Sequence, residues 1–254
     1  MYPVLLRIGN VPVETYYVFW FVALSLALHW VVGRFPLYGV DDDEGRRVVG
    51  WSFIGMLAGS RAFEYVWNFS VYWNNPSLIF DLNRGGLAEV GALIGAMATA
   101  ALLCRRNPKI SFTRLCAIAV PPGFLAIALG RFGCFFAGCC VGVRSSFFLA
   151  IRFPYDPVNV TRHPTQLYYS LFAAAILIVI LIVEKQLLRR GARGPSLIAS
   201  LGFLLFSFMR LSIDVFRHET GGGGLTLSRA ALIVALPFAT LWLGMSWRAL
   251  YKSE

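Results

Sequence analysis

The chain has 254 residues, of which 57% are hydrophobic and only 14% are charged, and its formal net charge is +10. Soluble domains usually carry about a quarter charged residues, so this composition argues against a soluble protein and predicts an integral membrane protein. In a soluble protein the positive charge would suggest nucleic-acid binding. In a membrane protein basic residues mark cytoplasmic loops, so we expect no nucleic-acid partner.

Seven apolar segments approach the length of about 20 residues that a helix needs to cross a bilayer. They predict an all-α membrane protein, with residues 1–254 forming a single integral membrane domain. The predicted spans are residues 16–35, 48–67, 86–104, 112–129, 165–184, 196–215 and 227–247. The fourth span contains Pro121, Pro122 and Gly123, and because proline removes a backbone donor we expect a kink or a break there.

Basic residues cluster in the first, third and fifth predicted loops and at the C-terminus. They are Arg34, Arg46, Arg47, Arg105, Arg106, Lys109, Arg114, Lys185, Arg189, Arg190, Arg193, Arg248 and Lys252. With seven spans these segments all lie on one side of the membrane, which the positive-inside rule identifies as cytoplasmic. The N-terminus is then outside and the C-terminus cytoplasmic. Residues 130–164 form the fourth loop region, which we expect to be extracytoplasmic.

The second and third spans carry ionisable residues that should not face lipid. Arg61 lies inside the second span, where an arginine usually faces the bundle interior; the local alternative is an ion pair with Glu64 at i+3. The glycines of residues 86–95 favour close helix packing. Glu89 lies in the same stretch. It could act as a general base if burial raises its pKa, although a counter-ion role for one of the arginines is the favoured interpretation.

Residues 130–142 (GRFGCFFAGCCVG) combine several chemically distinctive residues. Arg131 stands at the edge of an apolar run, where a charge is costly. The glycines at positions 130, 133, 138 and 142 allow tight turns or close approach to a ligand. We therefore predict that this stretch forms one wall of a site.

Cys134, Cys139 and Cys140 fall within the same stretch. Their spacing, with His163 downstream, is a weak zinc-ligand pattern. A vicinal disulfide and a thiol nucleophile activated by Arg131 are further alternatives. The favoured interpretation is that the three cysteines are simply small residues packed in a tight turn, so we expect no metal.

Residues near the predicted outer surface supply a histidine and more arginines. His163 precedes a proline, which predicts extended backbone, and it is either an interfacial residue or a proton acceptor. Arg210 and Arg217 share one helical face at i, i+7, and Asp214 offers Arg210 a local partner at i+4. Together with Arg131 these guanidinium groups would suit a phosphate, and the phosphate available at that depth is a phospholipid head group.

These motifs, in this order, resemble those of the prolipoprotein diacylglyceryl transferases, a family of seven-span bacterial inner-membrane enzymes. The family's Gly-Arg-x-Gly-Asn-x-x-Asn-Gly signature corresponds to residues 130–138, where Arg131 is matched and the two asparagines are replaced by Cys134 and Ala137. The family's Arg-His-Pro-Ser-Gln-Leu-Tyr segment corresponds to residues 162–168. Only Thr165 differs there, which makes this the most specific match.

Three weaker correspondences extend the resemblance. The family's Arg-x-x-x-Glu-x-x-Arg segment corresponds to Arg210, Asp214 and Arg217. An early Tyr-Gly element is echoed at Tyr17, and a Gly-x-Arg element is echoed at residues 59–61.

One departure concerns catalysis. The family's third-span histidine, its proposed base, is replaced here by Val90, which accepts no proton. The adjacent Glu89 points about 100° away around the helix, so it is an imperfect substitute. His163 is the second candidate for the base.

The resemblance implies transfer of the diacylglyceryl group of phosphatidylglycerol to the cysteine thiol of a preprolipoprotein lipobox peptide, with glycerol phosphate leaving. This would take place in the bacterial cytoplasmic (inner) membrane, without metal or cofactor. Arg131 and Arg210 would stabilise the leaving phosphate, and Glu89 or His163 would deprotonate the thiol. The implied substrate-binding residues are Arg61, Tyr17, Gly133, Cys134, Gly138, Gln166, Tyr168, Asp214 and Arg217.

Two alternatives stay open. The chain could be a divergent paralogue that uses another acceptor or its own cysteine thiols, or a phospholipid-binding or transport protein without catalysis. Val90 favours these alternatives, whereas Arg131, Arg210 and His163 favour the transferase.

Overall fold

The computed structural model describes residues 2–79, 89–189, 194–217 and 227–251. Within these ranges the protein is mainly helical, which confirms the predicted all-α class. The α-helices are α1 (Thr15–Gly33), α2 (Asp42–Trp67), α3 (Phe69–Asn74), α4 (Glu89–Arg106), α5 (Phe112–Ala137), α6 (Thr165–Arg189), α7 (Pro195–Asp214) and α8 (Leu227–Tyr251).

A short antiparallel hairpin, β1 (Val4–Ile8) and β2 (Val11–Glu14), precedes α1 and was missing from the sequence-based prediction. Its two-residue turn is Gly9 and Asn10. Gly9 has a φ of +61°, a conformation in which glycine has no steric cost. The Gly-Asn pair between two runs rich in β-branched residues was the available signal for this hairpin.

Five helices are long and apolar enough to cross a membrane, namely α1, α5, α6, α7 and α8, which confirms the membrane class. The other two long helices, α2 and α4, do not belong to this group because of their charged residues, which in α2 include Arg61 and Glu64 within the helix. α2 begins with Asp42, Asp43 and Glu44, and α4 ends with Arg105 and Arg106. Each of the seven predicted spans overlaps one of these seven long helices.

The chain forms two compact units, one comprising Met1–Arg34 and Cys116–Glu254 and the other comprising Phe35–Leu115. In the second unit α2 and α4 pack through glycines. A Cβ added at Gly59 would lie 2.5 Å from the carbonyl oxygen of Gly91 and 2.7 Å from the Cα of Gly95. Only glycine allows this backbone approach, so the predicted helix-packing role of the third-span glycines is confirmed.

α5 is a continuous helix through Pro121 and Pro122, so of the two predicted alternatives the break is wrong, and the kink stays a prediction. Proline at position 122 cannot donate to the carbonyl of Ile118, four residues earlier. Arg34 compensates, because its Nε donates to that carbonyl oxygen at 3.0 Å. The helix also continues beyond Leu129, where the predicted span ended, as far as Ala137.

Arg34 lies in the first connection between long helices, as predicted, but its side chain is buried. It follows the end of α1 and is only 3% exposed. Its Nη1 donates to Glu184 Oε2 at 3.0 Å and its Nη2 to Glu184 Oε1 at 2.5 Å, and its guanidinium group also lies over Trp30. Burial favours this bidentate pairing because an unpaired charge in a low-dielectric interior is costly.

Candidate functional site

A second buried ionic group in the first unit is centred on Asp214, the last residue of α7. Asp214 is fully buried and accepts a hydrogen bond from the Tyr169 hydroxyl at 2.6 Å. Arg210 Nε lies 3.1 Å from Asp214 Oδ2, which confirms the expected i, i+4 pair. Arg217 Nη1 lies 3.8 Å from Asp214 Oδ1. One carboxylate thus has two guanidinium groups and a phenol around it.

Arg131 reaches the same group from α5. Its guanidinium carbon lies 4.3 Å from the centroid of the Tyr169 ring, and that of Arg210 lies 5.7 Å from the same centroid. Both distances fall within the range of cation–π contacts. Tyr169 therefore contacts two arginines through its ring and Asp214 through its hydroxyl.

We refer to these five residues, Arg131, Tyr169, Arg210, Asp214 and Arg217, as the arginine cluster. The cluster contains three guanidinium groups and one carboxylate, so it carries two positive charges in excess. Arg131 and Arg217 are less than a tenth exposed, and water screens buried charges weakly. Such a cluster favours an anion with several oxygens, and phosphate fits the planar fork of arginine.

The loop between α5 and α6 runs back onto the end of α7 and meets the arginine cluster there. Gly142 N donates to His163 O at 3.0 Å, and Val143 N donates to Phe216 O at 2.8 Å. Gly142 also forms a bridge with Arg217. A Cβ at Gly142 would lie 2.5 Å from His163 O, so this crossing requires glycine.

A buried ion pair holds that loop in shape. Arg162 Nε lies 2.8 Å from Asp156 Oδ1 and 2.9 Å from Oδ2, and Arg162 Nη1 donates to Gly142 O at 3.4 Å. Next to it, His163 Nδ1 and the Tyr168 hydroxyl are 3.0 Å apart. His163 is half-buried, so a hydrogen-bonded histidine lies on the loop that reaches Arg217.

The predicted cysteine stretch forms a second cluster at the C-terminal end of α5, with Cys134 inside the helix and Cys139 and Cys140 just after it. Cys134, Cys139 and Cys140 have their Sγ atoms within 4.8 Å of one another. Gln166 Nε2 donates to Cys139 O at 2.6 Å, and Thr165 Oγ1 donates to Cys140 O at 2.7 Å. All five cysteines of the chain lie in the described residues and all are free thiols.

The environment separates the pKa values of the two loop cysteines. Hydrogen bonds from Cys134 and Cys139, together with the charges of Arg131 and Arg217, lower the pKa of Cys140. Hydrogen bonding to Cys134 and Cys140, reinforced by burial, raises the pKa of Cys139.

The structure brings together Arg131, Arg210, Asp214 and Arg217 from the predicted site, and it places His163 beside Tyr168. Other predicted residues have different surroundings. Gly133 packs against α1, since a Cβ there would lie 2.8 Å from the Phe19 Cβ. Gly138 is in the left-handed region with a φ of +74°. Tyr17 is 55% exposed and stacks edge-on against Tyr16.

Arg61 belongs to the other unit, where its Nη2 donates to Leu78 O at 2.9 Å. Its pairing with Glu64 stays a prediction. The side chain of Glu89 lies outside the described residues, as do His218 and the glycines at positions 221–224. The base role of Glu89 is therefore still an expectation from the sequence.

Sequence reasoning missed Tyr169, Thr165 and Asp156 as parts of this region. Tyr169 directly follows the most specific motif, residues 162–168, and its helical position places it one turn after Thr165. That adjacency was the available signal. Asp156 carried no signal, because its partner Arg162 lies across an irregular loop.

A groove of about 470 Å³ lies between α6, α7 and α8. Its lining is mostly apolar, with Leu197, Leu243 and Trp247 among the contributing residues. No residue of the arginine cluster lines it. An apolar groove on membrane-spanning helices suits acyl chains, whereas the polar chemistry of the unit is concentrated at the arginine and cysteine clusters.

Comparison with protein families matches residues 3–248 to the family described as prolipoprotein diacylglyceryl transferase. The chain is also similar to proteins named phosphatidylglycerol–prolipoprotein diacylglyceryl transferase. The Clostridium tetani protein is 25% identical, over 92% of this chain and 92% of its own length. The Clostridium novyi protein is 29% identical, over 95% and 93% respectively. The Pseudomonas putida protein is 27% identical, over 97% and 93%.

Proposed function

This chain belongs to the prolipoprotein diacylglyceryl transferase family and is a membrane transferase, and we propose that it transfers diacylglyceryl from phosphatidylglycerol to a lipobox cysteine thiol. The observation that carries the proposal is the arginine cluster. Two guanidinium groups beside the buried Asp214 carboxylate, and a third over the Tyr169 ring, supply the donors and the excess positive charge that a phosphodiester head group needs.

In the proposed reaction the acceptor sulfur attacks the glyceryl carbon bonded to the phosphate oxygen. A carbon–sulfur bond forms, the carbon–oxygen bond breaks, and its electron pair leaves on glycerol phosphate. Negative charge on the phosphate grows as that bond breaks, so donors that bind the phosphate stabilise the transition state more than the bound lipid. Arg131 and Arg210 take this role, with Arg217 in support.

Asp214 and Tyr169 position these donors. The carboxylate fixes Arg210 and Arg217, and the tyrosine ring supports Arg131. Because each guanidinium is already oriented, little reorganisation accompanies the reaction. Arg61, Tyr17, Gly133, Cys134, Gly138, Gln166 and Tyr168 complete the proposed substrate contacts.

The acceptor thiol must lose its proton. His163 is one proposed base, supported by its hydrogen bond to Tyr168, which sets the position of the imidazole ring. Glu89, next to Val90 on α4, is the other. Position 90, where the family has its third-span histidine, is occupied by a valine.

We place the reaction in the bacterial cytoplasmic membrane, with seven spans, the N-terminus outside and the C-terminus cytoplasmic. The basic ends of α4 and α6 support this orientation, because they would both face the cytoplasm. The arginine cluster then lies near the outer leaflet, where the loop between α5 and α6 would meet a secreted lipobox peptide.

The test uses purified full-length protein in nanodiscs that contain phosphatidylglycerol, with a synthetic lipobox peptide as acceptor. We expect the peptide mass to increase by one diacylglyceryl group. Arg131→Gln should lower the rate by about 10²–10³-fold, the usual effect of removing one donor to a developing anion. Arg106→Gln, on the exposed end of α4, is the matched control and should keep the wild-type rate. A wild-type rate in Arg131→Gln contradicts the proposed role.

A second candidate function is phospholipid binding without catalysis, which Val90 favours because valine leaves the family's base position without a proton acceptor. The same experiment separates the two. Phosphatidylglycerol bound in an Arg131-dependent manner with no change in peptide mass would support the binding protein and exclude the transferase.

A further inference from the structure

The cysteine cluster is held together by features that a simple tight turn does not need. Cys140 is the one non-glycine residue with positive φ in the described part of the chain, at +57°. Gly138, two residues earlier, also has positive φ. Cysteine rarely adopts this conformation, so the backbone at Cys140 is strained in the arrangement that brings the sulfur atoms together.

Two fully buried side chains keep that backbone in place. Thr165 and Gln166 begin α6 and hydrogen-bond the carbonyl oxygens of Cys140 and Cys139 respectively. Gln166 Oε1 has no hydrogen-bond partner among the described residues, so Gln166 also offers a buried acceptor beside the cluster. In metal sites of proteins, hydrogen bonds from neighbouring residues typically orient the residues that bind the metal.

The sulfur geometry suits a tetrahedral thiophilic ion. With zinc–sulfur bonds of about 2.3 Å, the ligand sulfur atoms of a tetrahedral site lie about 3.8 Å apart. The three Sγ atoms lie within 4.8 Å of one another, so side-chain rotations of about 1 Å would bring them to an ion. Three protein ligands leave the fourth position of a tetrahedral ion open, as in catalytic zinc sites.

We propose that Cys134, Cys139 and Cys140 bind one Zn²⁺ whose fourth coordination position takes the thiol of the acceptor peptide. The sequence led to the opposite expectation, because spacing alone did not show that the sulfur atoms converge. The acceptor half of this inference rests on the transferase function proposed above, whereas the zinc site does not.

The acceptor thiol replaces the fourth ligand, its sulfur binds zinc, and its proton is released to water. The zinc-bound sulfur then forms the bond to the glyceryl carbon while the carbon–oxygen bond breaks and its electrons leave on glycerol phosphate. A thioether is a poorer zinc ligand than a thiolate, so the product dissociates. No oxidant or further base is required.

Two observations connect this ion to the chemistry. A coordinated thiol is deprotonated by the metal, which supplies what Val90 cannot. Three thiolates and Zn²⁺ carry a net charge of −1, and two arginines of the cluster lie nearby: Arg131 is three residues before Cys134 on α5, and Arg217 forms a bridge with Gly142, two residues after Cys140. The acceptor sulfur would therefore be held beside the same arginines that bind the phosphate.

The test starts with metal content, which does not depend on activity. Full-length protein is purified in detergent with a thiol-free reductant, and bound zinc and copper are measured by mass spectrometry. We expect one zinc per chain in the wild type. Cys139→Ser should lose it, whereas Cys116→Ser, near the start of α5 and outside the cluster, should keep it. Cobalt exchanged into the wild type should give sulfur-to-cobalt charge-transfer absorption that Cys139→Ser lacks.

Peptide transfer is then measured before zinc removal, after removal by a chelator and after zinc is restored. Loss and recovery of transfer support both halves of the proposal. Transfer that continues without zinc overturns the acceptor role. A metal-free wild type, copper at these cysteines or a disulfide among them overturns the zinc site. Zinc bound through the cysteines in a protein that never transfers supports the site and contradicts the transferase function instead.

Discussion

The Arg34–Glu184 pair and the arginine cluster are both buried ionic groups in the same unit, but they differ in charge balance. At Arg34 one guanidinium meets one carboxylate in a bidentate pair. The arginine cluster has three guanidinium groups and only one carboxylate: Arg210 and Arg217 lie beside Asp214, and Arg131 lies over the Tyr169 ring. A balanced pair neutralises itself and holds helices together. An excess of buried positive charge instead creates a binding site for an anion, and the difference in composition separates a structural group from a functional one.

The largest effect on stability should come from removing one charge of the Arg34–Glu184 pair. Arg34→Met leaves the buried Glu184 without its bidentate partner and removes the donor to the Ile118 carbonyl. We expect the free energy of unfolding to fall by about 3–5 kcal/mol, as for other buried pairs that lose one member. Denaturant unfolding of the purified protein in detergent measures it.

The double variant Arg34→Met with Glu184→Leu is the control. It removes both charges, so most of the lost stability should return. The fraction of either variant that folds should still transfer diacylglyceryl, because neither residue belongs to the arginine cluster. If the double variant is as unstable as the single one, then packing rather than charge balance accounts for the pair.

The second prediction concerns lipid binding by the excess positive charge of the arginine cluster. Phosphatidylglycerol should stabilise the wild type against thermal unfolding, by about 2.7 kcal/mol when the lipid exceeds its Kd a hundred-fold. Arg131→Gln should lose most of this stabilisation, because one of the three guanidinium groups is missing. Diacylglycerol with the same acyl chains but no phosphate is the control. Equal stabilisation by the two lipids would show that the acyl chains, not the arginines, account for the binding.

A smaller effect should follow from removing one hydroxyl group. Tyr169→Phe keeps the ring beneath Arg131 and loses the 2.6 Å hydrogen bond to Asp214. Asp214 keeps Arg210 and Arg217, so we expect kcat/KM for transfer to fall only about ten-fold, or roughly 1.4 kcal/mol.

Tyr169→Leu separates the two contributions of this residue. It removes the ring as well, and the lost cation–π contacts with Arg131 and Arg210 should lower kcat/KM further. Equal rates for Tyr169→Phe and Tyr169→Leu would mean that the ring does not position Arg131.

Several features of the two ionic groups and of the helices around them can be predicted from the sequence, because they depend on the spacing of nearby residues. Arg210 and Asp214 are four residues apart on one helix, and the apolar runs predict the long helices. The helix-packing glycines of α4 were equally visible, although their partners Gly55 and Gly59 were not.

The rest depends on contacts between residues far apart in sequence. Nothing local indicates that Glu184 meets Arg34 or that Arg34 donates to the Ile118 carbonyl, so the proline rule alone does not show that α5 continues unbroken. The convergence of the cysteines likewise depends on Thr165 and Gln166, which lie on another helix. Long-range compensation of this kind has no periodic pattern, so a single sequence does not reveal it.

The smallest effect is expected at a pair that is balanced but exposed. Arg47 Nη2 lies 2.5 Å from Glu44 Oε2, yet their side chains are 54% and 32% exposed. Water screens such a pair, and Arg47 is close enough to the N-terminus of α2 to oppose the helix dipole. Arg47→Ala should therefore change the free energy of unfolding by less than about 1 kcal/mol and leave transfer intact. A change as large as that of Arg34→Met would mean that burial does not distinguish these pairs, and the contrast between the balanced pair and the arginine cluster would then need another explanation.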